Sequence, residues 1–264
     1  MEYPKEFVDL LRTTQETMIG IGNPNAKILI IACEPSIDNY NQTEREIRRN
    51  KEQWSTILNH PKLMDEWMLS YNPTINPCKG LEYGFPNYNP FFPYHGQKNS
   101  SNSKKGGTSR TWWCYQKIIE GIFKSPQKRD IDFFQKCFVT DLSAENAISQ
   151  NHTIKEKTQL SIKKRTNDLF SYDFFQNFPI IIMCCGHYVR DYDVKPYKLF
   201  NVPFLEEMHD KNEEWINYHC ITGNKPKLLL HTKHLTARGL KTNDYIAEIT
   251  KLCRQFTDEN NIQI

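Results

Sequence analysis

Ala26-Lys27-Ile28-Leu29-Ile30-Ile31-Ala32-Cys33-Glu34-Pro35-Ser36 is the stretch that decides the fold. Ile28 to Ala32 is an unbroken apolar run, the pattern of a short strand covered on both faces. It runs directly into a turn carrying one carboxylate, Glu34, and a proline, Pro35. Open α/β sheets bind their ligands beyond the carboxyl ends of the strands. A carboxylate at that place makes Glu34 the first candidate for chemistry.

On either side of this strand the chain alternates between helical and extended patterns. Glu6 to Glu16 reads as an amphipathic helix with Phe7, Leu10 and Leu11 on one face, and Gly20, Gly22, Asn23 and Pro24 break it off. Asn41 to Asn59 is charge-rich and helical, with Met64 to Leu69 extending that layer. Residues 72–107 are dense in Pro, Gly, Asn and aromatics, among them Phe85, Phe91 and Phe92. They read as a long insertion, of the kind that is often functional, and its end at Asn99 to Gly107 reads as mobile. Thr111 to Phe123 is a buried helix that takes Trp112 and Trp113 into the core. A second strand covers Cys137 to Leu142 and ends around Thr140-Asp141. Thr153 to Phe175 is a polar helix. Pro179 to Cys185 is a further apolar strand, closed by Gly186. Leu228 to Leu230 is a fourth, emptying into His231-Thr232-Lys233-His234-Leu235-Thr236. Asp244 to Phe256 is the last helix. The alternation predicts a three-layer α/β/α sandwich around a central, mainly parallel sheet. It is read as one domain over 1–264 with the insertion at 72–107. Three of the four strands end in a polar residue fit for chemistry: Glu34, Asp141 and His231.

Composition narrows the functional classes. Of 264 residues, 38% are hydrophobic and 25% charged, which suits a globular chain, and the net charge of +3 permits a nucleic-acid partner without demanding one. No run approaches the ~20 apolar residues of a membrane helix. Met1 to Arg12 carries charge where a signal peptide needs an apolar stretch. The expectation is an intracellular, cytoplasmic protein with no membrane partner. The eight cysteines form no CxxC pair, so buried free thiols are expected, with no metal site and no cofactor.

The strand ends resemble the uracil-DNA glycosylase superfamily. Ala32-Cys33-Glu34-Pro35-Ser36 is similar to its first motif, which in the mismatch-specific and single-strand-selective branches reads Gly, apolar, Asn, Pro, Gly. Glu34 stands where those branches place their catalytic Asn. Phe138-Val139-Thr140-Asp141-Leu142 resembles the strand whose terminal Asn reads the base, with Asp141 at that place. Ile180 to Gly186 resembles the apolar strand ending in Leu-Gly. Leu229-Leu230-His231-Thr232 resembles the final motif, in which a His opens a loop that enters the DNA groove. The motifs run in the expected order between about Gly20 and Leu240. The iron–sulfur cysteines of some branches have no counterparts here.

The resemblance implies a DNA glycosylase that hydrolyses the N-glycosidic bond of a flipped uracil-like, damaged or modified base in single-stranded or duplex DNA. Glu34 would activate water and stabilise the sugar cation, and His231 would donate a hydrogen bond to the departing base. Asp141 would accept from the base, or simply cap the following helix near Ser143. Flipping costs roughly a few kcal/mol, and Phe85, Phe91 and Phe92 are candidates to offset it by stacking. Lys104, Lys105, Lys233, His234, Arg238 and Lys241 are candidate DNA contacts, as is Arg110. Two rival readings stand beside this one: a catalytically inactive nucleic-acid-binding protein of the same fold, and an enzyme acting on free nucleosides or nucleotides.

Overall fold

The structure is a computed structural model that describes residues 2–34, 40–59, 90–91, 97–101, 107–145 and 152–264, with the side chains of 40–48 and 152–154 excepted. Its frame is a seven-stranded sheet formed by β1 (Ile21–Gly22), β2 (Ile28–Ala32), β3 (Phe138–Asp141), β4 (Ile180–Met183), β5 (Phe204–His209), β6 (Trp215–Ile221) and β7 (Lys227–Thr232). The order across the sheet is β1-β3-β2-β4-β7-β6-β5. The central four strands, β3, β2, β4 and β7, are parallel. β1 pairs antiparallel with β3, and β6 and β5 extend the other edge antiparallel. The sheet is mixed, with the expected parallel strands at its centre and antiparallel strands at both edges.

Both faces of the parallel centre are covered, which is why its strands read as unbroken apolar runs. On one face Ile28, Ile30, Ile180, Ile182, Leu228 and Leu230 pack against α3 (Arg110–Ile122) and the long C-terminal helix α5 (Thr242–Glu259). On the other, Leu29, Ile31, Ile181, Met183 and Leu229 pack against α1 (Lys5–Thr13), α2 (Tyr40–Asn59) and α4 (His152–Asn167). α1 buries Phe7, Leu10 and Leu11, spaced to share one helical face. α3 is capped by Ser109, whose hydroxyl accepts from the Trp112 amide. It lies close against α5, because Gly121 has no side chain: a Cβ there would come within 2.6 Å of Thr250.

Several elements differ from the sequence expectation. The helix expected over Thr153 to Phe175 stops at Asn167, and two short turns follow at Leu169–Ser171 and Asp173–Gln176. The break lays Phe170, Phe174 and Phe175 into the cluster that holds Phe7 and Phe138. β7 is longer than its apolar centre, so His231 and Thr232 lie inside the strand. The β5–β6 hairpin escapes notice in the sequence because its strands are mixed in polarity; β5 is exposed along most of its length. The segment after Lys98, expected to be mobile, is anchored in part. Asn99 is buried and donates to the Glu120 carboxylate and the Lys128 carbonyl. Met64 to Leu69 and most of the insertion lie outside the described residues. The described cysteines are buried and free, and among the described residues no helix is long and apolar enough to cross a membrane.

Candidate active site

The order of the parallel strands creates a switch point. From β2 the chain proceeds to β3 on one side, then returns to β4 on the other, so the crevice beyond the carboxyl ends of β2 and β4 is where such a sheet binds ligands. Glu34 sits at this crevice, two residues past β2. Its approach is held on both sides. The amides of Leu142 and Ser143 donate to the carbonyls of Ala32 and Cys33, and Cys184 donates to Ile31. The Glu34 carboxylate accepts a 2.7 Å hydrogen bond from the Tyr188 hydroxyl. Burial pushes the Glu34 carboxyl above the usual range, and the Tyr188 bond pulls it part of the way back.

Tyr188 reaches this place through a tight turn after β4. Gly186 has φ +52°, and a Cβ there would lie 3.2 Å from the His234 amide nitrogen. Left-handed backbone and close approach together favour glycine. The turn leads into a single helical turn, Tyr188–Asp191, which aims the phenol back at Glu34.

Asp141 ends β3 in register with Ala32. Its carboxyl is raised to about 7. Burial is the main cause, the nearby Arg165 opposes it, and the Glu34 charge adds to it. The Glu34 charge thus reaches the Asp141 carboxyl at the neighbouring strand end as a lesser contribution beside burial. Tyr115 on α3 is buried beneath one face of the sheet, and its phenol is pushed well up, first by burial and then by the charges of Cys184 and Asp141.

Arg165, on α4, fixes this corner. It is fully buried. Its guanidinium donates to the Asp141 carbonyl at 3.1 Å, the Met18 carbonyl at 2.7 Å, the Thr140 hydroxyl at 2.9 Å and the Glu16 carboxylate at 3.2 Å. Lys164 holds the other Glu16 oxygen at 2.7 Å. Arg165 therefore grips the end of β3 through its backbone and leaves the Asp141 carboxyl available.

His231 does not offer the hydrogen bond expected of it. It pairs across the sheet with Met183 and with Asn217. Its Nε2 contacts the Gly186 carbonyl at 2.8 Å, and its Nδ1 lies 3.2 Å from the Asn217 amide nitrogen. The neutral ring with its proton on Nε2 satisfies both contacts. Burial pushes the ring down to about 4, which keeps it neutral. His231 braces the Gly186 turn, which leads to Tyr188. His234 is half-buried beside that turn, with Nδ1 accepting from the Thr236 hydroxyl at 2.9 Å. Its ring is lowered by burial and by His187.

The remaining expected contacts divide. Phe91 is a core side chain, buried in the cluster with Phe7 and Leu29. With the Gly22–Pro90 hydrogen bond it pins the insertion to the body rather than presenting a stacking face. Lys233 is ion-paired with Glu214 and so already engaged. Arg238 and Lys241 are exposed. Phe85, Phe92, Lys104 and Lys105 lie outside the described residues, as does Pro35. Among the described residues, no group of His, Cys, Asp and Glu is arranged to hold a metal ion. Sequence reading missed Tyr188 and Arg165. Tyr188 had a usable signal, since it follows the glycine that closes an apolar run. Arg165 had none, because Lys163-Lys164-Arg165 reads as a solvated stripe. The arrangement can do acid–base chemistry with two carboxyls in unequal environments, one held by a phenol and the other biased toward its protonated form. Compared with models of known protein families and with curated proteins, the chain gives no match.

Proposed function

We propose that the protein is a DNA glycosylase that hydrolyses the N-glycosidic bond of a flipped, uracil-like, damaged or modified base. The observation that carries this reading is the Glu34–Asp141 pair beyond adjacent parallel strands, with Tyr188 donating to Glu34 and Asp141 lifted to about 7. Two carboxyls pushed apart in acidity divide into an acid and a base. Glu34, whose ionised form the phenol favours, takes a proton from water as the water oxygen bonds to C1′ of the sugar. The C1′–nitrogen bond breaks toward the base, and Asp141 in its protonated form donates to the departing base. The products are the free base and an abasic sugar bearing the C1′ hydroxyl. Donation by Asp141 replaces the role first given to His231, whose Nε2 already faces Gly186. The resemblance of the four strand-end motifs to the uracil-DNA glycosylase superfamily supports the same assignment.

The test is base release from single-stranded and duplex oligonucleotides carrying uracil, hydroxymethyluracil, hypoxanthine or modified cytosines, read as abasic sites. The expected result is release of at least one of these bases, falling ~100-fold or more in Glu34→Gln. No abasic site from any of them, or equal rates for parent and Glu34→Gln, overturns the reading. One observation favours an enzyme on free nucleosides or nucleotides instead: Lys233, expected on a phosphate, is taken up by Glu214. Parallel assays on mononucleosides and mononucleotides separate the two.

A further inference from the structure

An open depression of about 670 Å³ lies between the first turns of α3 and α5, lined by Arg110, Trp113, Lys241, Thr242, Asn243 and Asp244 among others. We propose that it holds a backbone phosphate of the nucleic-acid strand, flanking the nucleotide at Glu34, with the neighbouring base laid on the Trp113 indole; the proposal rests on the reading of the Glu34 site given above.

Charge points to an anion. Arg110 and Lys241 are both exposed at the depression. Arg110 donates to the Thr242 hydroxyl at 3.1 Å. That bond orients the guanidinium and uses one of its five donors, leaving a planar fork suited to phosphate oxygens. The one carboxylate in the lining, Asp244, is already matched by Lys211 at 2.9 Å and by Asn212 at 3.3 Å, and both hold it below its usual range. Two cationic side chains therefore stand over a neutralised acid. Trp113, partly buried against the core and with the Lys117 ammonium 5.9 Å from its ring centroid, adds an aromatic edge to the lining beside them, and aromatic stacking tolerates any base.

Position points to a strand. The Tyr245 hydroxyl, on the first turn of α5, accepts from the Lys233 amide at 2.9 Å and donates to the Trp215 carbonyl at 2.7 Å. This ties the start of α5 to the end of β7. On α3, the Cys114 thiol contacts the Leu235 carbonyl, and Tyr115 feels the charge of Asp141. Both helices thus begin beside the end of β7, on the rim where the parallel strands finish. A strand with one nucleotide turned into the Glu34–Asp141 crevice has a phosphate and a base to place nearby, and the depression offers a receptor for each.

The test is anisotropy of a fluorescein-labelled oligothymidylate strand with the full chain, titrated at several salt concentrations. Arg110→Gln combined with Lys241→Gln weakens binding about 10-fold and lowers the slope of log affinity against log salt by about 1 to 2. Trp113→Leu weakens binding with the slope unchanged. Lys225→Gln, in the β6–β7 connection at the opposite rim, changes neither. A free nucleotide carries the same phosphate chemistry, so thymidine monophosphate is titrated alongside. Saturable binding of the mononucleotide that the double variant loses, without any change in strand binding, overturns the assignment to a strand. Equal affinity and slope for parent and double variant also overturns the subsite, while base release with its Glu34→Gln control still decides the glycosylase reading independently.

Discussion

Asp141 shows how a single side chain sets both stability and chemistry. Its carboxyl is raised to about 7 against an ordinary 3.8, because burial and the Glu34 charge outweigh Arg165. A raised value in the fold means that the native state prefers the protonated form. The stabilising contribution is therefore complete below the unfolded value and is lost as pH rises through about 7. Between pH 4 and pH 8 this residue costs the fold on the order of 4 kcal/mol. Asp141→Asn keeps the backbone carbonyl that Arg165 holds, so urea denaturation should find the variant more stable than the parent at pH 8 and no more stable at pH 4. Glu34 and Asp141 were legible in the sequence, because each follows an apolar strand. Tyr188 and Arg165 were not. The partner that makes Arg165 a buried anchor, Glu16, lies 149 positions earlier, and no local pattern encodes that pairing.

Elements place these residues, and two of them carry sharp consequences. Arg165 joins α4 to the end of β3 and to the segment after α1 through Glu16, Met18 and Thr140. Removing one partner of a buried ion pair strands the other. Arg165→Met should cost about 3–5 kcal/mol in urea denaturation, and much of that loss should be recovered when Glu16→Gln is added. The turn after β4 depends on Gly186. Gly186→Ala should destabilise by about 1–2 kcal/mol through its φ of +52° and its approach to the His234 amide. Because the turn also aims Tyr188, the same variant should slow base release by more than the stability loss explains. The parallel centre was readable from continuous apolar runs. The antiparallel edge was not, since β5 is exposed and β6 mixes polar and apolar residues without a regular alternation. His231 illustrates the result: it reads as the first residue after a strand, yet Asn217 of the unseen β6 holds it inside one.

At the scale of the whole molecule, the strand order decides what the chain can do. β2 lies between β3 and β4, so residues more than a hundred positions apart meet at one rim. Burial there leaves two carboxyls in unequal environments, one bonded to a phenol and one biased toward its protonated form, and the proposed base release would use them as base and acid. The activity profile should follow. Under the proposed mechanism, rates should rise with pH as Glu34 ionises, above its ordinary value, and fall as Asp141 loses its proton through about 7. Asp141→Asn, whose amide donates at every pH, should lose the alkaline fall and keep the acid rise in single-turnover base release.

The unequal carboxyl pair is tested most directly by carbon NMR of the side-chain carboxyls, titrated in the parent chain, in Asp141→Asn and in Glu34→Gln. One carboxyl should titrate at about 7, vanish in Asp141→Asn and move to lower pH in Glu34→Gln, where the neighbouring charge is gone. A parent in which every carboxyl titrates in the ordinary range near 4, or in which the highest value ignores the loss of Glu34, contradicts the coupled pair and the chemistry built on it.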